Sequence, residues 1–245
     1  RVRSSAASDV YKRQLKTLLL TGLCGLHINK ILIRRKVKVA VTGASGLIGS
    51  ALVSELENRG DQVLRIGRTA RQEGDIVWDP MEGTLDPALI EAVDAVVNLA
   101  GETIEGRWTA KKKKKILESR VKGTQLLSQT FQRLDTPPKI FVSSSASGFY
   151  GDRGEEILTE SSTAGNGFLA DVCKAWEAAA DTSSETRLAI ARTGVVFDPS
   201  GGALQKLLIP IRLFFGGPLG GGKQWWPWIT PVSYTHLTLP TILRV

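Results

Sequence analysis

The run Val37–Val41 (VKVAV) passes straight into Thr42-Gly43-Ala44-Ser45-Gly46-Leu47-Ile48-Gly49, and helical spacing (Leu47, Ala51, Leu52, Leu56) begins at once. A β-branched strand, a G-x-x-G-x-x-G turn and a helix in immediate succession constrain the fold more than any other feature of the chain. The glycines let the backbone turn tightly, let a diphosphate approach bare main chain, and let the helix pack close on the strand. The start of the helix adds unpaired N–H groups and a partial positive charge. Gly43, Ala44, Ser45, Gly46, Leu47, Ile48 and Gly49 are therefore the expected residues for a dinucleotide diphosphate.

The pattern continues as alternation. Strands are expected at Gln62–Ile66, Asp75–Trp78, Ala95–Leu99, Lys139–Val142 and Leu188–Phe197, and helices at Leu47–Asn58, Pro87–Ala92, Thr109–Gln132 and Ala170–Ala180. Strands alternating with helices predict an α/β fold, a Rossmann-type doubly wound parallel sheet with helices on both faces and strand order 3-2-1-4-5-6. The glycine-rich stretch Gly216–Gly222, followed by Trp225, Trp226 and Trp228, reads as a loop near a ligand or a sheet edge.

The net charge of +8 suggests a nucleic-acid or membrane-surface binder, but the placement of the charges removes that reading. Val232–Thr241 (VSYTHLTLPT) back-translates to DNA whose reverse complement, in another frame, encodes the SAASDVYKR of Ser5–Arg13. Both ends resemble a translated transposase-type adaptor and are set aside from the fold. The expected organisation is 1–36 as an adaptor-like and uncertain extension, 37–230 as one dinucleotide-binding domain carrying the start of a substrate region, and 231–245 as an adaptor-like tail. Residues 37–230 carry 22 basic and 23 acidic side chains, and both histidines, His27 and His236, lie outside them. A core without histidine builds neither a Ser-His-Asp triad nor a His-ligated metal site, so no metal is expected. With no apolar run long enough for a membrane span, the expected compartment is the cytoplasm. The five lysines Lys111–Lys115 point around most of a helix and have acids nearby, so a solvated helix start is expected and no nucleic-acid or membrane partner. A small-molecule substrate is expected, with a homodimer left open.

On the Thr42–Gly49 motif the chain resembles the extended short-chain dehydrogenase/reductase superfamily. Asn98-Leu99-Ala100-Gly101 is similar to its N-x-A-G strand end, and Val142-Ser143-Ser144-Ser145-Ala146 to its serine strand. The resemblance implies that Leu99, Ala100 and Gly101 hold the adenosine side. It implies too that one serine sits beside the nicotinamide, either Ser145 or Ser144. The second strand ends Leu64-Arg65-Ile66-Gly67-Arg68 without an acid. An acid there would bind the ribose 2′-OH of NAD, whereas an arginine accommodates the 2′-phosphate of NADP. The cofactor expected is NADP in preference to NAD, with Arg68 as its partner and Arg65 second. A narrower resemblance, to the "epimerase family" proteins loosely called cell-division-inhibitor-like, rests on NLAGETIEGRWT, ESRVKGT, SSSASGFYGDRGEEILTE, FLADVCKAWEAAA and ARTGVVFDPSGGAL.

The superfamily's oxidoreductases use Tyr-x-x-x-Lys, in which the lysine eases proton exchange at the phenol. Aligned through Glu177, the tyrosine position holds Leu169 and the lysine position Cys173, with Lys174 one residue off. Two readings follow. Either Tyr150 or Ser145 is the proton donor, tuned by Lys174 or Arg153, or the chain binds NADP without turning it over, as a sensor or interaction module.

Overall fold

The computed structural model describes residues 35–182, 185–217, 222 and 224–243. The expected N-terminal extension therefore lies, but for Arg35 and Lys36, outside the described residues. The elements below belong to one unit, Lys36–Val245.

The short all-apolar runs form a central sheet because a strand covered by helices on both faces has no solvent side to keep polar. Strands β1 (Lys38–Thr42), β2 (Gln62–Gly67), β3 (Ile76–Val77), β4 (Ala95–Asn98), β5 (Ile140–Ala146) and β6 (Arg187–Thr193) pair in the order β3-β2-β1-β4-β5-β6. Every pairing is parallel. Side chains alternate between two cores. Ala40, Val96 and Phe141 face one, and Val39, Val41, Val97 and Val142 face the other.

Helices close both faces. α1 (Leu47–Asn58) contributes Leu52, Val53 and Leu56 to the second core. α2 (Ala110–Phe131) contributes Leu126, Leu127 and Phe131 to the first, where Phe131 meets Phe141 edge to face at 5.1 Å. The lysines at the start of α2 oppose the helix dipole, and a cap offsets them: Thr109 Oγ1 accepts from Lys112 N at 3.2 Å. Lys112 itself is paired with Glu102 at 2.7 Å. α3 (Phe168–Ala178) packs beside α2, and α4 (Gly202–Arg212) lies in the chain between the two strands described next.

One expectation is corrected. Leu188–Phe197 is not one strand. It breaks at Gly194 into β6 and β7 (Val195–Asp198), and β7 pairs with β8 (Trp228–Ile229) in a separate sheet. Val195 N donates to Pro227 O at 2.8 Å, and a Cβ on Gly194 would lie 2.5 Å from that same oxygen. In the tail set aside above, the described residues 231–243 pack on the fold. Pro231–Leu243 forms helix α5, with Tyr234, Leu239 and Ile242 buried on one side and Leu239 and Ile242 joining the core under α1. Apolar residues at helical spacing decide where such a segment packs, whatever DNA encodes it.

Candidate functional site

The glycine turn is built by backbone on backbone. Gly43 has φ +66°, and a Cβ there would lie 2.9 Å from the carbonyl carbon of Leu99 at the end of β4. Gly46 N donates to Gly43 O at 2.9 Å, and a Cβ on Gly49 would lie 2.2 Å from that oxygen. The first and third glycines thus let the β1 turn, the β4 end and the first turn of α1 meet with nothing between. Gly46 caps α1 without a side chain, and no acid stands in the first turn. The first N–H groups of α1 are left for an anion, so the residues present fit a dinucleotide diphosphate.

A buried network fixes the opposite wall. Thr42 Oγ1 donates to Asn98 Oδ1 at 2.7 Å and accepts from the amides of Leu99 and Ala100 at 3.1 and 3.2 Å. Asn98 Nδ2 and Trp176 Nε1 both donate to Thr124 Oγ1, at 2.9 and 3.0 Å. β1, β4, α2 and α3 are tied through these side chains, and Leu99–Gly101 are held at the mouth of the cleft.

The cleft has a volume of about 470 Å³ and runs from Gly43–Gly46, past Leu99–Gly101, to Arg65 and Arg68 at the end of β2. Arg65 is engaged by Glu57. Arg68 is exposed and makes no hydrogen bond or ion pair among the described residues. Of the expected binding residues, Gly43, Ala44, Ser45 and Gly46 line the cleft, whereas Leu47, Ile48 and Gly49 stand just beyond its lining and face the anion position only as the first turn of α1. Gly49 is buried behind it, and Leu47 packs against Gly201 and Gly202 ahead of α4.

A second cluster lies at the C-terminal ends of β5 and β6. Ser145 Oγ donates to Glu177 Oε1 at 2.5 Å. Arg192 meets the same carboxylate edge-on, Nε to Oε1 at 2.8 Å and Nη2 to Oε2 at 2.7 Å. Arg192 Nη1 donates to Tyr150 Oη at 3.0 Å and to Glu160 O at 3.2 Å, and the guanidinium lies 3.5 Å from the Phe149 ring centroid. Hydrogen bonding to Glu177 holds the Arg192 guanidinium above its ordinary value. A hollow of about 380 Å³ opens here, lined by Tyr150, Thr159, Glu160 and Arg192 among others. Since Tyr150 Oη accepts from Arg192, its own proton is free for an oxygen in the hollow. Ser145 has its proton committed to Glu177, which leaves its oxygen as an acceptor.

Ser145 and Tyr150 are thus brought together, and three other expected residues are not. Lys174 points elsewhere, paired with Asp171 at 2.7 Å, because one residue along a helix turns a side chain by about 100°. Ser144 alternates to the other face of β5, 3.5 Å from Tyr234 Oη. Cys173 does face the cluster side, its thiol directed to Ala146 O at 3.8 Å and pushed up by burial. Arg153, a candidate tuner, is spent on Glu156 at 2.7 Å. Most of the expected Gly216–Gly222 loop lies outside the described residues, while Phe197 stacks on Trp228 at 6.0 Å. Arg192 was missed as a site residue, and Glu177 was open to either a packing or a site role. The available signal was an arginine at the end of an otherwise apolar strand. Among the described residues no group of His, Cys, Asp and Glu could hold a metal, and no helix is long and apolar enough to cross a membrane.

Comparison with known proteins agrees with this geometry. Residues 39–172 match the model of the NAD dependent epimerase/dehydratase family. An epimerase family protein of Mycobacterium bovis is 38% identical over 196 residues, covering 78% of this chain, and the chain spans 64% of that relative's length. The crystal structure of human epimerase family protein SDR39U1 with NADPH superposes with a TM-score of 0.76 at 34% identity, over 85% of this chain and 71% of that one. A nucleoside-diphosphate sugar epimerase structure from Corynebacterium glutamicum gives 0.75 at 36% identity, over 86% and 44%.

Proposed function

The chain belongs to the NAD dependent epimerase/dehydratase family, and from that premise we propose that it holds NADP(H) in the glycine cleft and acts as an oxidoreductase or epimerase on a small-molecule substrate in the cytoplasm. The observation that carries the choice of NADP is the end of β2. There an unpaired Arg68 borders the cleft, and no acid occupies the strand end. Asp75 also borders the cleft, but its carboxylate accepts from the amides of Arg71 and Gln72 and is turned to its own loop. The relative solved with NADPH supports the same choice.

When bound, the nicotinamide supplies hydride transfer. The chain's own work is to place a substrate oxygen near Tyr150, whose hydroxyl exchanges a proton with it, while Arg192 fixes the phenol oxygen by donating to it. Ser145 offers an acceptor to a neighbouring hydroxyl, and Glu177 holds both Ser145 and Arg192 in place. In this reading the Tyr-x-x-x-Lys dyad is absent. A second reading is supported by the turn of the Lys174 ammonium to Asp171, and by the alignment through Glu177 that assigns Leu169 and Cys173 to the dyad's positions on α3. The chain would then bind the dinucleotide without turning it over.

Titrating the chain with NADPH and with NADH, read by nicotinamide fluorescence, tests the binding. Tighter NADPH binding is expected, and equal or reversed order refutes the choice of NADP. A panel of carbonyl compounds and sugar nucleotides then separates the readings: turnover that Tyr150→Phe abolishes supports the enzyme, and tight binding with no turnover supports the silent module.

A further inference from the structure

The described residues hold three asparagines, Asn58, Asn98 and Asn166, which differ in the amide that follows them. Asn58 ends α1, where Arg59 N donates to Glu55 O at 3.1 Å. Asn98 is buried at the end of β4, and Leu99 N donates to Thr42 O at 3.3 Å and to Thr42 Oγ1 at 3.1 Å. Asn166 is exposed in the loop ahead of α3 and is followed by Gly167. The Gly167 amide makes no hydrogen bond among the described residues, and neither does the Asn166 side chain. The path of the chain fixes a glycine there. Gly167 has φ +102°, a conformation that side chains rarely adopt, and open space lies where a Cβ would be. The entry to α3 therefore runs through a nitrogen that is neither bonded nor shielded.

The same asparagine lies against the segment that carries Tyr150. Gly165 N donates to Phe149 O at 2.9 Å, and a Cβ on Gly165 would lie 2.1 Å from Tyr150 O. A Cβ on Gly151 would lie 3.2 Å from both N and O of Asn166. Residues 165–166 thus run main chain against main chain along 149–151, and no slack is left there for a longer backbone.

We propose that Asn166 is a site of self-modification, at which the Gly167 amide nitrogen attacks the carbonyl carbon of the Asn166 side chain. A C–N bond forms and closes a cyclic imide. The bond from that carbon to the side-chain nitrogen breaks, and ammonia leaves with the proton of the Gly167 amide. Water then opens the imide at either carbonyl, giving aspartate or isoaspartate. Water is the only co-reactant, and nothing is oxidised or reduced. Both products put a carboxylate ahead of α3, where the helix dipole favours it. Isoaspartate also adds a methylene to the main chain at the contact with Gly151, which pushes on the segment bearing Tyr150. The inference is independent of what the dinucleotide cleft holds.

The test ages the whole folded chain at mildly alkaline pH and digests it with trypsin, which releases residues 154–174 as one peptide. Mass spectrometry reads the exchange of NH for O at each asparagine, and isoaspartyl methyltransferase labels the isoaspartate. A synthetic peptide of residues 161–170 is aged beside it. Asn166 is expected to convert roughly tenfold or more faster than Asn58 and Asn98, and about as fast as in the free peptide. Similar rates at the three asparagines overturn the proposal. So does a rate at Asn166 roughly tenfold below that of the peptide, because the fold would then be protecting the amide. Asn166→Gln, whose longer side chain closes an imide far more slowly, tests the effect on the Tyr150 segment. The thermal midpoint of the parent is expected to fall as isoaspartate accumulates, while that of the variant holds. A parent midpoint that holds despite conversion overturns that effect. The rate comparison needs no variant, so it decides the proposal even if Asn166→Gln does not fold.

Discussion

Glu177 on α3 and Arg192 on β6 meet edge to edge through two hydrogen bonds of 2.7 and 2.8 Å, with 14% and 22% of their side chains exposed. The pair welds a helix to the sheet edge and aims two other groups, since Ser145 donates to the carboxylate and Tyr150 accepts from the guanidinium.

Removing one partner leaves the other charge half-buried and unpaired. Glu177→Gln and Arg192→Met are each expected to destabilise the fold by about 1–3 kcal/mol, less than for a fully buried pair. The double variant is expected to lose less than the sum of the two. Urea unfolding of the four proteins measures this. Additive losses would mean that the two residues do not act as a unit.

Two glycines of positive φ or close contact separate space from strain. Gly49→Ala puts a methyl 2.2 Å from Gly43 O and is expected to cost at least about 1–3 kcal/mol and to abolish dinucleotide binding. Gly60→Ala, at φ +80° with nothing within 4 Å, is expected to cost only the left-handed penalty of about 1–2 kcal/mol and to leave binding intact. Unfolding and fluorescence titration of both variants check the contrast.

Arg68→Ala is expected to weaken NADPH roughly tenfold and NADH hardly at all, the difference being one charge-assisted contact to phosphate. Arg65→Ala is expected to act less, because Arg65 is already engaged by Glu57. A parallel fall for both nicotinamides on Arg68→Ala would contradict this assignment.

Thr124 accepts from two buried donors, Asn98 Nδ2 and Trp176 Nε1. Thr124→Val keeps the shape but strands both, and is expected to cost about 2–4 kcal/mol. Denaturant midpoints measure it, and a loss below about 1 kcal/mol would mean that water or a shifted side chain satisfies the donors.

Burial raises both the Cys173 thiol and the Tyr234 phenol above their ordinary values of 9.0 and 10.0. Both groups are neutral when protonated, and the unfolded chain releases their protons at lower pH than the folded one. Their contribution is therefore complete below about pH 9 and is lost as the pH climbs toward the folded values. Urea midpoints near pH 8 and near pH 10.5 should fall in that order, and a midpoint that holds or rises would refute the sign.

What the sequence made legible follows how local each cause is. The glycine turn could be read in place because strand, turn and helix are contiguous, and the alternating runs gave the sheet order of the main sheet. The break at Gly194 could not, since its cause is the carbonyl of Pro227, brought in from elsewhere in the chain. The adaptor-like tail was set aside on the evidence of its codons, while its apolar spacing is what packs it under α1. At the candidate site, Ser145 and Tyr150, singled out from their strand and loop, fall in one hydrogen-bonded cluster. Arg192 was missed, and Glu177 could not be decided, because a charge cluster assembled from β5, α3 and β6 has no spacing of its own. Lys174, read as one residue off the dyad's lysine position, pairs with Asp171 on its own helix.

The contact of Gly43 and Gly49 through a single carbonyl leaves no room for side-chain variation at the diphosphate end. The exposed arginine at the far end of the same cleft is free to change. On the proposed assignment of Arg68, coenzyme preference would be rewritten at β2 while grip on the coenzyme stays as it is, so the two properties would be separately evolvable and separately engineerable.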